Sequence, residues 1–185
     1  MWFSCDRVLK EFMMDVFEAI KRRYSCRAYE DRPIEQEKLA RVLEAARLAP
    51  SAKNFQDWRF VVVTDSDTKA QLAEAANNQT FVGTAAAVIV ACSNNDHVMT
   101  CGQAVGPIDV AIALEHIALQ AVAEGLATCW IGAFQTNKAR DVLGIPADIA
   151  IIELMTIGYP ADRQRSPKRE PIEKIVCYQR WQFGS

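Results

Sequence analysis

The run Pro107 to Glu124 (PIDVAIALEHIALQAVAE) reads as one long helix whose apolar side chains, Ile108, Ile112, Leu114, Ile117, Leu119 and Val122, go almost all the way round. Such a helix is buried, because a surface helix keeps its apolar residues on one stripe. Pro107 at its start, Asp109 in its first turn and Gly125 at its end set its limits. A bilayer is the wrong place for it: Asp109, Glu115, His116, Gln120 and Glu124 would be too costly in lipid. The helix belongs to a protein core or a subunit interface, and His116 reads as a satisfied histidine there.

Something must cover that helix, and four runs supply a sheet. Trp58 to Thr64, Ala86 to Cys92, Thr128 to Ile131 and Ile149 to Ile157 are short, β-branched and bounded by turns. They are apolar on both faces, which calls for helices on both sides of the sheet. Glu35 to Leu48 is amphipathic, with Leu39, Val42, Leu43 and Ala46 on one face, Pro33 ahead and Pro50 behind. Asp15 to Lys21 is a short amphipathic helix and Asp67 to Asn77 a more polar one. The class is α+β. Past Pro160, Arg163 to Pro171 is basic and proline-punctuated, a loop or extended arm. It leads to a small apolar tail (Ile175 to Cys177, Trp181, Phe183) suited to pairing with another subunit.

At 185 residues, 50% hydrophobic and 24% charged, the composition is that of one soluble globular domain. Residues 13–185 form that domain, with 161–185 as its C-terminal arm and 1–12 as an extension. The net charge of −2 argues against nucleic acid as a partner. Six cysteines without a CxxC, and two histidines away from any ligand spacing, read as reduced thiols with no metal site. The opening residues lack the basic start and long apolar stretch of a signal, so the expected location is the cytoplasm.

The basic residues gather in one place, Arg22-Arg23-Tyr24-Ser25-Cys26-Arg27. In an extended backbone Arg23, Ser25 and Arg27 project to one side. Two guanidiniums and a hydroxyl converging there suit a phosphate dianion. The same residues also suit a solvated helix end, and spacing alone leaves both readings open. Cys26 stands between arginines, which would lower a thiol pKa, though it reads as structural. Two further segments stand out: the loop Ala49-Pro50-Ser51-Ala52-Lys53-Asn54-Phe55-Gln56-Asp57-Trp58, and Gly125 to Phe134, a strand ending in Ile131-Gly132-Ala133. No phosphate-binding glycine loop, nucleophile elbow or HExxH is present, so either the chain only binds or a cofactor carries its chemistry.

Taken in order, RRYSCRAY, APSAKNFQDW, GLATCWIGAF and a GYP followed by a basic arm resemble the nitroreductase family of flavin enzymes over about Asp15 to Pro171. The resemblance implies an α+β fold, a three-layer sandwich with a central mixed sheet covered by helices, in an intertwined homodimer. It implies FMN as cofactor, NADH or NADPH as donor, and hydride passed through flavin N5 to a small acceptor such as a nitroaromatic or quinone. By the family's pattern Arg23, Ser25 and Arg27 hold the flavin phosphate and pyrimidine side. Pro50, Ser51 and Asn54 cover the flavin from the other subunit, and Asn78 meets the ring. Ile131 and Gly132 face N5 and O4 with their backbone; Arg169, with Lys168 beside it, binds phosphate from the arm. No side chain is implied as catalytic. Asp57 and Lys53 depart from the pattern, where proline and a small residue are usual. Relatives of this fold also fragment flavin or remove halogens reductively, and a non-enzymatic anion-binding domain is the remaining alternative.

Overall fold

Four strands, β1 (Trp58–Val63), β2 (Ala87–Ser93), β3 (Ala127–Ile131) and β4 (Ala150–Gly158), lie in the order β1-β2-β4-β3 with every neighbouring pair antiparallel. The structure, a computed structural model, describes residues 14–162 and 168–183; the expected extension at 1–12 and part of the expected arm lie outside them. Ser25 adds a parallel bridge to Thr128 outside β3, where the Cys26 N–H donates to the Thr128 carbonyl at 3.0 Å. The four-stranded sheet is therefore antiparallel throughout, where a mixed sheet was expected, and the parallel contact is this single bridge at its β3 edge.

Among the described residues there are six α-helices: α1 (Val16–Arg22), α2 (Gln36–Arg47), α3 (Ser66–Ala75), α4 (Thr80–Thr84), α5 (Val105–Ala123) and α6 (Thr136–Leu143). One core packs Val42 and Ala46 of α2 and Val110, Leu114 and Ile117 of α5 against Ile89, Met155 and Ile157. On the other face Leu72 of α3, Val82 of α4 and Ala139 of α6 pack against Val88, Val90 and Leu154. The both-sided apolar strands therefore sit where their pattern demanded.

The long helix starts two residues earlier than its proline suggested. Val105 is its first residue, so Pro107 lies within the first turn, where no N–H is needed. Asp109 consequently falls beyond the first turn, a correction that matters for the site. His116 is half-buried, its Nδ1 3.2 Å from the Ala45 carbonyl oxygen. Helices α4 and α6 were not expected; α6 ends at Gly144, whose φ of 63° is the left-handed cap that glycine favours.

The tail forms a short 3₁₀ turn at Ile172–Lys174 and leaves its apolar side chains open. Ile172, Ile175, Tyr178 and Trp181 are 60–80% exposed, so these side chains find no seat among the described residues.

Candidate active site

Helix α1 stops at Arg23, whose φ of −61° and ψ of 131° carry the chain into an extended segment beside β3. Its period-two alternation is visible in burial. Tyr24, Cys26 and Tyr29 are buried, while Arg23 is partly open and Ser25 and Arg27 are exposed. Tyr24 donates from its hydroxyl to Asp162 at 2.8 Å, and Tyr29 Oη lies 2.8 Å from Thr156 Oγ1. These inward anchors turn Arg23, Ser25 and Arg27 outward together.

The two arginines are lightly held. Arg23 Nε stands 3.7 Å from Glu115 Oε1 on α5, and the Arg27 guanidinium lies 6.0 Å from the Phe81 ring centroid. Burial pushes the Glu115 carboxyl up from its ordinary range, with Arg23 opposing that shift. The expectation that arginines would lower the Cys26 thiol is corrected here. The thiol points inward, away from them, and burial pushes its pKa up.

At the far end of β3 the Ile131-Gly132-Ala133 segment is joined by the turn after α3. Asn77 Nδ2 and Gln79 Nε2 both donate to the Ala133 carbonyl, at 3.2 and 3.3 Å. Asn78, exposed between them with a φ of 58°, is thereby carried beside Gly132. Gly132 in turn lies against Glu153 of β4. Both carboxylate oxygens stand 3.5–3.6 Å from where a β-carbon on Gly132 would sit.

The third segment is anchored on α5. Residues Ala52–Asn54 form a 3₁₀ turn, with Lys53, Asn54 and Gln56 at φ of 48°, 58° and 52°. Non-glycine residues in that region are strained, and three of them need firm anchors. Ser51 Oγ accepts the Gln56 N–H at 3.1 Å, and buried Asp109 accepts the Ala52 N–H. Pro50, Ser51 and Asn54 are thus tied to α5, and none of these bonds reaches Arg23, Ser25 or Arg27. Lys168 and Arg169 are exposed at the head of the tail.

The two departures from the family pattern sit in this loop. Asp57 has one carboxylate oxygen buried with no partner among the described residues, and the other 3.5 Å from Ser93 Oγ. Lys53 Nζ lies 6.0 Å from the Phe55 ring centroid. A separate cleft of about 650 Å³, lined by Arg32, Ser66, Lys69 and Thr84 among others, holds none of the residues expected from sequence.

Glu153, Asp109 and Glu115 were missed as site residues. For Glu153 the signal was a lone carboxylate inside the apolar run Ile151-Ile152-Glu153-Leu154-Met155. Asp109 acts through a partner 57 positions away in sequence, which no local pattern shows.

Taken together, the fold and site define an α+β sandwich with an outward row of Arg23, Ser25 and Arg27 beside a glycine-bearing strand end. The nitroreductase family model matches residues 20–105 and 76–159. The chain is 32% identical to an NADH dehydrogenase of Thermus thermophilus, over 90% of this chain and 97% of that one. It is 29% identical to an FMN reductase [NAD(P)H] of Bacillus subtilis, over 88% of this chain and 73% of that one. Among solved structures, a nitroreductase family protein of Clostridium difficile superposes with a TM-score of 0.81 at 34% identity, covering 91% of this chain and all of that one. The NADPH:FMN oxidoreductase of Vibrio harveyi complexed with NAD+ superposes with a TM-score of 0.83 at 26% identity, covering 92% and 79%. This chain belongs to the nitroreductase family.

Proposed function

We propose that this protein is an FMN-dependent oxidoreductase that draws on NADH or NADPH and reduces a small acceptor such as a nitroaromatic or quinone. The observation that carries the reading is the outward row Arg23-Ser25-Arg27 running alongside β3 toward Ile131 and Gly132. The donor set fits the cofactor: two guanidiniums and a hydroxyl suit a phosphate, and a strand end with a glycine suits a flat ring. The named functions of its relatives, FMN reductase and NADPH:FMN oxidoreductase among them, agree.

When bound, the flavin supplies the hydride chemistry, and that explains a site without a nucleophile or a histidine base. In this reading Arg23, Ser25 and Arg27 hold the phosphate and pyrimidine side, and Asn78 meets the ring. The backbone of Ile131 and Gly132 orients the ring edge. Arg169, with Lys168, adds charge from the arm.

A homodimer completes the site. The exposed apolar row Val16, Phe17 and Ile20 on α1 and the open tail both suit a second copy. Pro50, Ser51 and Asn54, in the loop tied to α5, then reach the partner's flavin. The five described cysteines are free thiols, in keeping with a cytoplasmic location.

The visible absorption spectrum of the purified protein, followed by anaerobic titration with each nicotinamide, tests this. A flavin spectrum bleached by NADH or NADPH is the expected result. A folded, colourless protein that refuses added FMN overturns it.

A further inference from the structure

Glu153 is half-buried and carries the one carboxyl group in the four described strands. A bulge places it. Ala91 of β2 faces Glu153 while Cys92 faces Ile151, leaving Ile152 as the extra residue. Strand β3 pairs with β4 only as far as Ile131 opposite Leu154, so Glu153 is the first β4 residue past that pairing. There its carboxyl group covers the α-carbon of Gly132.

Little compensates a charge at that position. The Ile131 backbone hydrogen-bonds the carboxylate, and burial, the larger influence, pushes the group above its ordinary range. Among the described residues no salt bridge reaches it, and no cation stands among the influences on its titration. Its titratable neighbour on β3 is the Cys129 thiol, itself pushed up by burial and so neutral, with Arg27 acting on that thiol from the edge segment. From β2 it meets Ala91.

We propose that Glu153 is a positioning residue of the cofactor site, taking up a proton when a planar ring with a carbonyl and an unprotonated ring nitrogen at its edge is seated on Ile131 and Gly132. This rests on the reading of those two residues as the ring's seat. An ionised carboxylate only accepts hydrogen bonds, so it faces such an edge acceptor to acceptor. In a half-buried place that repulsion is weakly screened. One proton from solvent turns the group into a neutral donor aimed at the same edge, and no electrons move. Glu153 thereby makes cofactor affinity depend on pH.

The test is calorimetric titration of the protein with FMN in buffers of different ionisation heat, from about pH 5 to about pH 8, beside Glu153→Gln. The wild type is expected to take up as much as one proton per site near the alkaline end, and Glu153→Gln none beyond the phosphate's share. That share, from a phosphate proton lost near about pH 6, is common to both proteins. The wild-type Kd divided by that of Glu153→Gln should rise with pH, by up to about tenfold per unit. Parallel pH profiles, with no buffer-dependent heat in the wild type beyond the share seen in Glu153→Gln, overturn the Glu153 assignment while leaving the flavin site standing. Absence of FMN binding at every pH overturns the flavin reading and this assignment together. If Glu153→Gln fails to fold, the buffer dependence of the wild type near about pH 8, where the phosphate has no proton left to lose, decides alone.

Discussion

Both carboxylate oxygens of Asp109 accept the backbone N–H of Ala52, at 3.0 and 3.1 Å, across 57 residues of sequence. That bond fixes the start of a loop with three non-glycine residues in the left-handed region, Lys53, Asn54 and Gln56. Replacing Asp109 by Ala leaves the Ala52 N–H without its charged partner, a loss of about 1–3 kcal/mol. The strained residues then relax to ordinary conformations. Tryptic cleavage after Lys53 should accelerate several-fold while the rest of the chain keeps its resistance. Unchanged cleavage at Lys53 would show that the loop is held by something else.

Arg23 and Arg27 differ in what they lose on truncation. Arg23 gives up a 3.7 Å pairing with Glu115, and Arg27 only a distant ring contact. Neither side chain supports the core, so the melting temperature should stay within about a degree of the wild type. If both bind phosphate, Arg23→Ala and Arg27→Ala should each weaken FMN binding by about tenfold to a hundredfold, the value of a charge-assisted hydrogen bond. Fluorescence titration with FMN reads this directly. Full affinity in the double variant would reassign these arginines to the solvated surface.

Gly158 ends β4 against the ring of Tyr29. A β-carbon there would lie 2.9 Å from Tyr29 Cδ1 and 3.1 Å from the backbone nitrogen of Ala86. Tyr29 cannot retreat easily, because its hydroxyl is tied to Thr156 Oγ1 and to the Cys26 carbonyl at 3.0 Å. Gly158→Ala is expected to destabilise the fold by about 1–3 kcal/mol through overpacking. In a domain of this size that lowers the melting temperature by several degrees. The same change should disturb the segment carrying Ser25, since Tyr29 is one of its inward anchors. A melting temperature equal to the wild type would mean that Tyr29 moves freely.

The parts legible in the sequence are those whose signal is local. β2 and β4 are covered on both faces, so each is a continuous apolar run, and α5 is apolar nearly all round for the same reason. The alternation of Arg23, Ser25 and Arg27 also needs no tertiary information, because period two is a property of extended backbone. Helix α4 has five residues with Gly83 inside, and α6 has eight with three apolar ones, too few for a readable period. Gly144 was the clue to α6 that went unused. Glu153 was hidden by geometry, since the bulge at Ile152 resets the alternation of β4 and parity no longer tells which face it takes.

Glu35 gives a pH dependence whose sign can be worked out. The Tyr159 hydroxyl donates to one of its oxygens, and Arg32 donates to the other at 2.7 Å. Lys38 donates to the Tyr159 hydroxyl at 2.9 Å, and the Arg32 guanidinium lies 3.9 Å from the Tyr159 ring centroid. The Tyr159 hydroxyl is the largest influence, and together these groups hold the Glu35 carboxyl down at about 2, against an ordinary 4.5. A carboxyl depressed in the folded protein stabilises it above the unfolded pKa, and that contribution is lost as pH falls toward the folded one. The wild type should therefore melt above Glu35→Gln at pH 7, by about one or two degrees given how exposed the group is. The gap should narrow below pH 4.5 and close near pH 2. Tyr159→Phe should shrink it at neutral pH as well, because the hydroxyl is the main donor. Melting curves followed by circular dichroism across that range measure the gap, and a gap that persists unchanged into acid would show that the Glu35 charge is not what Tyr159 and Arg32 stabilise.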